Sequence, residues 1–222
     1  MIDILGKIPR KVGIALSGGL DSIAIYDFLT RDGKREVVPI YFNHGTEHGK
    51  HARDFVTNHV NRHLERTKPG KTAHHVVSNY APDNNHKRAS ESQEEYWRRI
   101  RYGFLDKVAE GDDIDVITCH HLDDQVETWL FSALHGTPKL IPYRRNRIIR
   151  PFLTTKKSEL EGWCKRHDLE WIDDPSNKDT RFMRNFIRLD LMLKAKHVNP
   201  GIQKTIKKRV LKEFQLKHAL KV

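Results

Sequence analysis

Cysteine is scarce in this 222-residue chain, which has two, Cys119 and Cys164, with no C-x-x-C spacing between them. That excludes a disulfide framework and a cysteine zinc knuckle. Long apolar runs are missing as well. No stretch approaches the roughly 18 to 20 consecutive apolar residues that cross a bilayer, and the N-terminus lacks an apolar run ending in small residues. A cytoplasmic protein with no membrane partner is therefore expected. Acidic residues are the third shortage: 29 Asp and Glu stand against 40 Lys and Arg, a formal charge of +11. Such a charge attracts polyanions, and nucleic acid is the natural partner, although a generally basic protein is the plainer reading. The distribution favours a partner. Residues 194–222 hold nine Lys or Arg and one acid, Glu213, while residues 144–157 hold six and none.

What is present is regular. The length supports one substantial core. The apolar run 12–16 stops at a Ser-Gly-Gly turn, and residues 23–30 carry Ile25, Phe28 and Leu29 at helical spacing, which predicts strand, tight loop and helix. Further strands are expected at 37–42, 74–77, 115–119 and near 147–152, with Pro39 an objection to the first of these. Helices are expected at 53–64, 94–108, up to Leu134, at 156–167 and from 184 onward, and residues 80–92 read as an exposed polar loop. A last helix carries Ile202, Ile206, Val210 and Phe214 on one face. The alternation predicts an α/β fold with a doubly wound parallel sheet. It divides into a main domain over 1–190 and a basic helical extension over 191–222. The apolar stripe of that extension suits either the core or a second copy of the chain, so a homodimer is one expectation.

Two segments carry chemistry. In Ser17-Gly18-Gly19-Leu20-Asp21-Ser22, two glycines remove side chains where backbone N–H groups must approach phosphate, and the next helix points its positive end at them. The segment lacks the Gly-Lys-Ser ending of a Walker loop and the G-x-G-x-x-G of dinucleotide folds. An ordinary strand-to-helix turn with Asp21 as a first-turn carboxylate is the bland alternative. The second segment is His120-His121-Leu122-Asp123-Asp124-Gln125-Val126-Glu127-Thr128. Asp124 and Glu127, three apart, share a helix face and can present two carboxylates to one cation. Their bland role is helix capping.

The first segment resembles the signature of the PP-loop ATP pyrophosphatases, which cleave ATP between the α- and β-phosphates and form adenylated intermediates. The second resembles the H-H-x-D-D-Q-x-E-T motif of the tRNA(Ile)-lysidine synthetases within that superfamily. Arg98-Arg99-Ile100-Arg101-Tyr102 is similar to their A-R-x-x-R-Y element, and Arg150-Pro151-Phe152-Leu153 to R-P-L-L. Asp174-Pro175-Ser176-Asn177 followed by Arg184, Asn185 and Arg188 resembles D-P-S-N with R-N-x-x-R. The resemblance runs from about residue 12 to about 188, in register throughout.

The resemblance implies a Rossmann-like fold and a two-step reaction. O2 of the wobble cytidine in an isoleucine tRNA with a CAU anticodon is adenylated, and the ε-amine of L-lysine then displaces AMP to give lysidine. Ser17, Gly18, Gly19, Leu20 and Ser22 would cradle the ATP phosphates, and Asp21 would sit near Mg2+. Asn43 and His44, just after the second strand, and His120 would lie near the nucleotide. Asp123 would bind metal or orient the base, and Asp124 and Glu127 match the lysine-contacting carboxylates. Arg98 or Arg101, with Arg184, would stabilise charge developing on phosphate. Two departures stand out: Trp97 replaces a small residue before Arg98, and the C-terminal domains that help family members recognise tRNA do not follow. Other readings are a sulfur-transferring tRNA enzyme, which the cysteines do not suit, a small-molecule amide synthetase, and a non-catalytic RNA-binding relic.

Overall fold

The computed structural model of the protein describes residues 1–43, 45–67, 76–77 and 87–219. Strands β1 (Lys11–Ala15), β2 (Glu36–Tyr41), β3 (Val76–Val77), β4 (Asp115–Ile117), β5 (Arg144–Arg145) and β6 (Ile148–Ile149) form one sheet. Its order is β3-β2-β1-β4-β6-β5. The first four pairings along it are parallel, and β5 runs antiparallel to β6. The expected parallel α/β sheet is present, with an antiparallel edge hairpin where a single strand near 147–152 was expected. Asn146 turns that hairpin at φ +53, a left-handed conformation that asparagine tolerates.

Pro39 fits for a simple reason. Leu16 N–H donates to Ile40 O (2.8 Å), so the polar groups of Ile40 face β1 and those of Pro39 face away. On that far side β3 is registered with Ile40 and Tyr41, and no described residue stands opposite Pro39.

Helices α1 (Leu20–Thr30), α2 (Glu47–Thr67), α3 (Gln93–Gly111), α4 (Leu122–Leu134) and α5 (Lys157–Arg166) connect and cover the strands. Short α6 (Met183–Phe186), a π turn (Ile187–Leu191), α7 (Met192–Val198) and long α8 (Ile202–Ala219) follow. α1 is buried nearly all round because it is packed between sheet and α5. Ile23, Ala24, Ile25, Tyr26 and Leu29 all enter the main core. α3 starts where a capping box forms: Glu95 N–H donates to Ser92 Oγ (3.2 Å) and Ser92 N–H to Glu95 Oε2 (2.8 Å). This fixes the register of Arg98 and Arg101 further along.

The apolar stripe of α8 packs inward. Ile202, Ile206 and Val210 join Leu122 and Val126 of α4 and Leu153 in one cluster. Lys204, Lys208 and Lys212 stay exposed on the other side of α8. Residue 190 falls inside the unbroken helical run 183–198, so the chain passes into its basic end without a linker. The basic stretch 144–157 is also more structural than its composition suggests. Arg144 forks onto Asp115 (2.7 and 2.7 Å), and Arg147 pairs with Asp113 (2.6 Å). Within the expected loop at 80–92, residues 80–86 lie outside the described residues, and Glu91 accepts two hydrogen bonds from Arg99 (2.8 Å each). Among the described residues no helix is long and apolar enough to cross a membrane.

Candidate active site

Site residues gather beyond the carboxyl ends of β1, β4 and β6, beside the point where the strand order reverses and open α/β sheets bind ligands. The β1 loop is shaped as an anion cradle. Gly18 has φ +86, and a Cβ there would stand 3.1 Å from the Ile172 side chain. Ile172 N–H donates to Gly18 O (3.0 Å), pinning the turn from behind. Gly19 is different: a Cβ would meet nothing nearer than Ser17 Oγ at 3.6 Å, so internal packing does not require glycine there. The open face above it is space for a ligand. Ser22 Oγ closes the loop, accepting from Ser17 N–H (3.2 Å) and donating to Gly19 O (2.9 Å). α1 then begins after Gly19 with no side-chain cap. The first helical amides, those of Leu20 and Asp21, and the positive helix end are left for an anion.

At the end of β4, His121 is almost completely buried, at 2 % exposure, among three carboxylates. Its Nε2 lies 3.4 Å from Asp21 Oδ2 and 3.5 Å from Asp124 Oδ2, and its Nδ1 3.9 Å from Asp123 Oδ2. Burial opposes its charge, yet the fields of Asp124, Asp21 and Asp123 outweigh that and lift the imidazole to about 9. Neighbouring His120 behaves oppositely. Desolvation and nearby arginines, against the pull of Asp124, hold it down at about 3, a neutral ring with Nδ1 3.0 Å from Thr118 Oγ1.

Asp124 and Glu127 already grip a cation. Arg188 donates from Nε and Nη2 to the two oxygens of Glu127 (2.7 and 3.0 Å), and its Nη2 lies 3.5 Å from Asp124 Oδ1. Burial works against the guanidinium charge, but Glu127, Asp124 and Asp21 more than offset it and hold Arg188 protonated. Asp124 also accepts His121 N–H (2.8 Å), so capping and cation binding share one side chain. Arg188 leaves the π turn, a helical irregularity that recurs at functional sites.

On the other side of β4 the charge is positive. Arg98, Arg145, Arg101 and Arg150 lie 4.9, 5.3, 5.8 and 5.8 Å from the centre of the Tyr102 ring. Burial holds both Arg98 and Arg101 below the ordinary arginine range. Arg184 sits nearer the surface, 3.4 Å from Glu94. It belongs to this cationic side, whereas Arg188, four residues on, enters the acid cluster.

The other expected residues are placed as follows. Asn43 turns onto its own loop, accepting Gly45 N–H (2.9 Å), and His44 lies outside the described residues. Asp123 is engaged by two other elements. Its Oδ2 accepts Lys157 N–H (2.9 Å) at the start of α5 and its Oδ1 the Gln203 amide (2.7 Å), so it joins α4 to α5 and α8. Among the described residues no group of three or more His, Cys, Asp or Glu is set to hold a metal. Asp21, at the loop, keeps a buried oxygen, Oδ1, without a partner. That suits magnesium, which commonly takes one or two carboxylates and completes its shell with substrate phosphates and water.

Several motif residues prove to be braces. Gln125 exchanges two hydrogen bonds with the backbone of Ile141 (2.8 Å each). Arg150 donates to Pro142 O (2.9 Å) and Tyr102 Oη (3.3 Å), and Asn185 to Ser176 O (2.7 Å) and Asp179 O (2.9 Å). Two residues were missed as site members, His121 and Arg188. Both stood inside quoted motifs, but only folding reveals that one is ringed by acids and the other reaches Glu127. Burial pushes the thiols of Cys119 and Cys164 up, Cys164 to about 11, so neither is a thiolate nucleophile.

Comparison with known proteins fits this geometry. The PP-loop domain family matches residues 4–195. The tRNA(Ile)-lysidine synthase of Vibrio vulnificus is 30 % identical over 197 residues, covering 84 % of this chain and 43 % of that protein. The Pseudomonas aeruginosa protein of the same name is 31 % identical over 192 residues, covering 81 % and 40 %. That of Legionella pneumophila strain Paris is 29 % identical over 225 residues, covering 96 % and 49 %. The chain thus spans somewhat under half the length of the curated relatives it matches. Among solved structures, the U34-tRNA thiolase NcsA from Methanococcus maripaludis superposes with a TM-score of 0.71 at 17 % identity, covering 94 % of this chain and 73 % of that one. With the family match extending over most of its length, the chain belongs to the PP-loop domain family.

Proposed function

We propose that this chain catalyses ATP-dependent joining of lysine to a cytidine in tRNA, as the names of its curated relatives indicate for them. The observation that carries the reading is the pairing of two sites of opposite sign. An uncapped phosphate loop at β1 stands beside two carboxylates at β4 that hold a long cationic side chain. Arg188 fills the position with a guanidinium, the chemical stand-in here for a substrate ammonium. An amide synthetase with a neutral acceptor has no need of that pair.

In the first step, O2 of the cytidine attacks the α-phosphorus of ATP and pyrophosphate leaves. The loop amides and the α1 terminus hold the departing phosphates and face the growing negative charge. Magnesium, when bound, neutralises phosphate charge, and Asp21 is the residue that would hold it. In the second step, the ε-ammonium of lysine gives a proton to Asp124 or Glu127, and the free amine attacks C2. AMP departs with the electrons of the C2–O bond, and the nitrogen sheds a further proton to solvent. Asp124 and Glu127 orient the lysine while Arg188 gives up part of its grip. His121, charged between Asp21 and Asp124, ties the two carboxylate groups together electrostatically. The partners are ATP, Mg2+, L-lysine and an isoleucine tRNA with a CAU anticodon.

The test is incubation of the protein with magnesium, ATP, labelled lysine and a CAU-anticodon isoleucine tRNA transcript. Lysine incorporation accompanied by one AMP per lysine is expected. A protein that releases AMP with no label in RNA, while a control synthetase labels the same transcript, contradicts the reading.

A further inference from the structure

Four guanidinium groups converge on Tyr102, from α3 (Arg98 and Arg101) and from the β5–β6 hairpin and its exit (Arg145 and Arg150). Like charges do not collect in a protein without an anion, because each repels the others and loses hydration on burial. Among the described residues Arg98, Arg101 and Arg145 have no ion-pair or hydrogen-bond partner, and Glu94 on the same helix turns to Arg184 instead. Arg150 is 2 % exposed, and its Nε is buried with no acceptor. The hairpin's other two arginines, Arg144 and Arg147, are matched to Asp115 and Asp113. The missing partner is therefore specific to the cluster around Tyr102.

Position selects the ligand. Across the carboxyl edge of the sheet the order is β1, β4, β6. The phosphate loop follows β1, the acid cluster follows β4, and Arg150 follows β6, level with Thr118 in the pairing of Ile117 with Ile149. Neighbouring strands lie about 4.8 Å apart, so the arginine cluster stands roughly 10 Å across from the loop, with the acid cluster between. The loop already offers amides for the phosphates of ATP. An anion on the β6 side belongs to whatever approaches from the opposite direction. Arg145 is exposed at the rim, open to a macromolecule, and planar guanidinium forks match phosphate oxygens.

We propose that Arg98, Arg101 and Arg145 form a binding site for a backbone phosphodiester of the acceptor RNA, beside the nucleotide presented for modification, with buried Arg150 bracing Tyr102 beneath them. This rests on the reading that the acceptor is RNA. The site positions the strand and reads no base. Tyr102 is its buried floor.

The experiment measures binding of a fluorescein-labelled CAU anticodon stem-loop to the full chain over a range of salt concentrations, with no ATP or lysine present. Arg145→Glu is compared with Arg147→Glu, a reversal of the same charge two residues away. Arg145→Glu is expected to weaken binding about tenfold at low salt and to flatten the plot of log Kd against log salt by roughly 0.7 to 1, the worth of one phosphate contact. Arg147→Glu is expected to stay within about twofold of the parent, as surface charges away from the contact do. A fluorescent ATP analogue should bind both variants like the parent protein.

Equal RNA binding by the two variants overturns the proposal. So does weakened binding of the ATP analogue by Arg145→Glu, since the cluster then serves the nucleotide. The two readings fail separately. A protein that binds the stem-loop through Arg145 yet transfers no lysine loses only the reaction assignment, and one that transfers lysine with an RNA affinity indifferent to Arg145 loses only this site.

Discussion

The two flanks of β4 solve opposite charge problems in opposite ways. On one flank Asp21, Asp123, Asp124 and Glu127 are compensated from within, by a charged His121 and by the Arg188 fork. On the other, Arg98, Arg101 and Arg145 have no ion-pair partner among the described residues. A compensated site is stable when empty and must exchange its built-in cation for a substrate cation. An uncompensated site gains stability only when its anion arrives. The difference is why we propose lysine for the first flank and phosphate for the second, and it sets four acids of an acid-poor chain around one histidine and one arginine.

The sharpest way to break the comparison is to remove the internal cation. Arg188→Ala leaves Glu127 buried without a partner and should cost about 3 to 5 kcal/mol in denaturant unfolding, as loss of one member of a buried pair does. Adding Glu127→Gln in that background should recover most of the loss. If Arg188→Ala is neutral by itself, the flank is not compensated as described. Next, Asp21→Asn keeps shape but removes the carboxylate with the unpartnered oxygen, and kcat for AMP release should fall roughly 100-fold or more. Unchanged AMP release would remove Asp21 from the ATP site.

A smaller effect separates the flanks functionally. Glu127→Gln should raise the KM for lysine about tenfold, the worth of a charge-assisted hydrogen bond, and leave that for ATP unaltered. Equal shifts in both would merge the two sites. The mildest test is pH. His121 sits at about 9 when folded against an ordinary 6.5, so its charge stabilises the fold fully below pH 6.5. That contribution fades as pH rises toward 9 and beyond. In magnesium-free buffer, unfolding free energy should therefore fall over this window, and His121→Gln should flatten the fall. A variant with the parent's slope would show that His121 is not the charged group.

Much of this was legible in the sequence, and the rest was hidden for identifiable reasons. Alternating apolar runs revealed the parallel sheet because its strands are buried on both faces, and the glycines at 18 and 19 marked the cradle because backbone has to approach phosphate there. The Ser92 and Glu95 capping box follows the same logic, a serine three residues before a glutamate at the start of α3. By contrast, composition could not sort the arginines of residues 144–157, since Arg144 and Arg147 find acids some thirty residues earlier, on and beside β4, while Arg145 turns to Tyr102. Asp123 looked like a ligand because it sits among acids, yet it bonds to Lys157 and Gln203, distant residues that folding brings to it. The resemblance singles out Arg184, but only folding shows Arg184 beside Glu94 near the surface and Arg188 reaching Glu127 from the π turn.

The central claim is that the cation site at β4 serves transfer of lysine to a cytidine. It is tested most directly by digesting the treated CAU transcript to nucleosides and identifying the wobble nucleoside by mass spectrometry. The account predicts a cytidine carrying lysine at that position, formed only when ATP and lysine are both present. An unmodified cytidine beside measurable AMP release, or lysine attached elsewhere in the transcript, would contradict it.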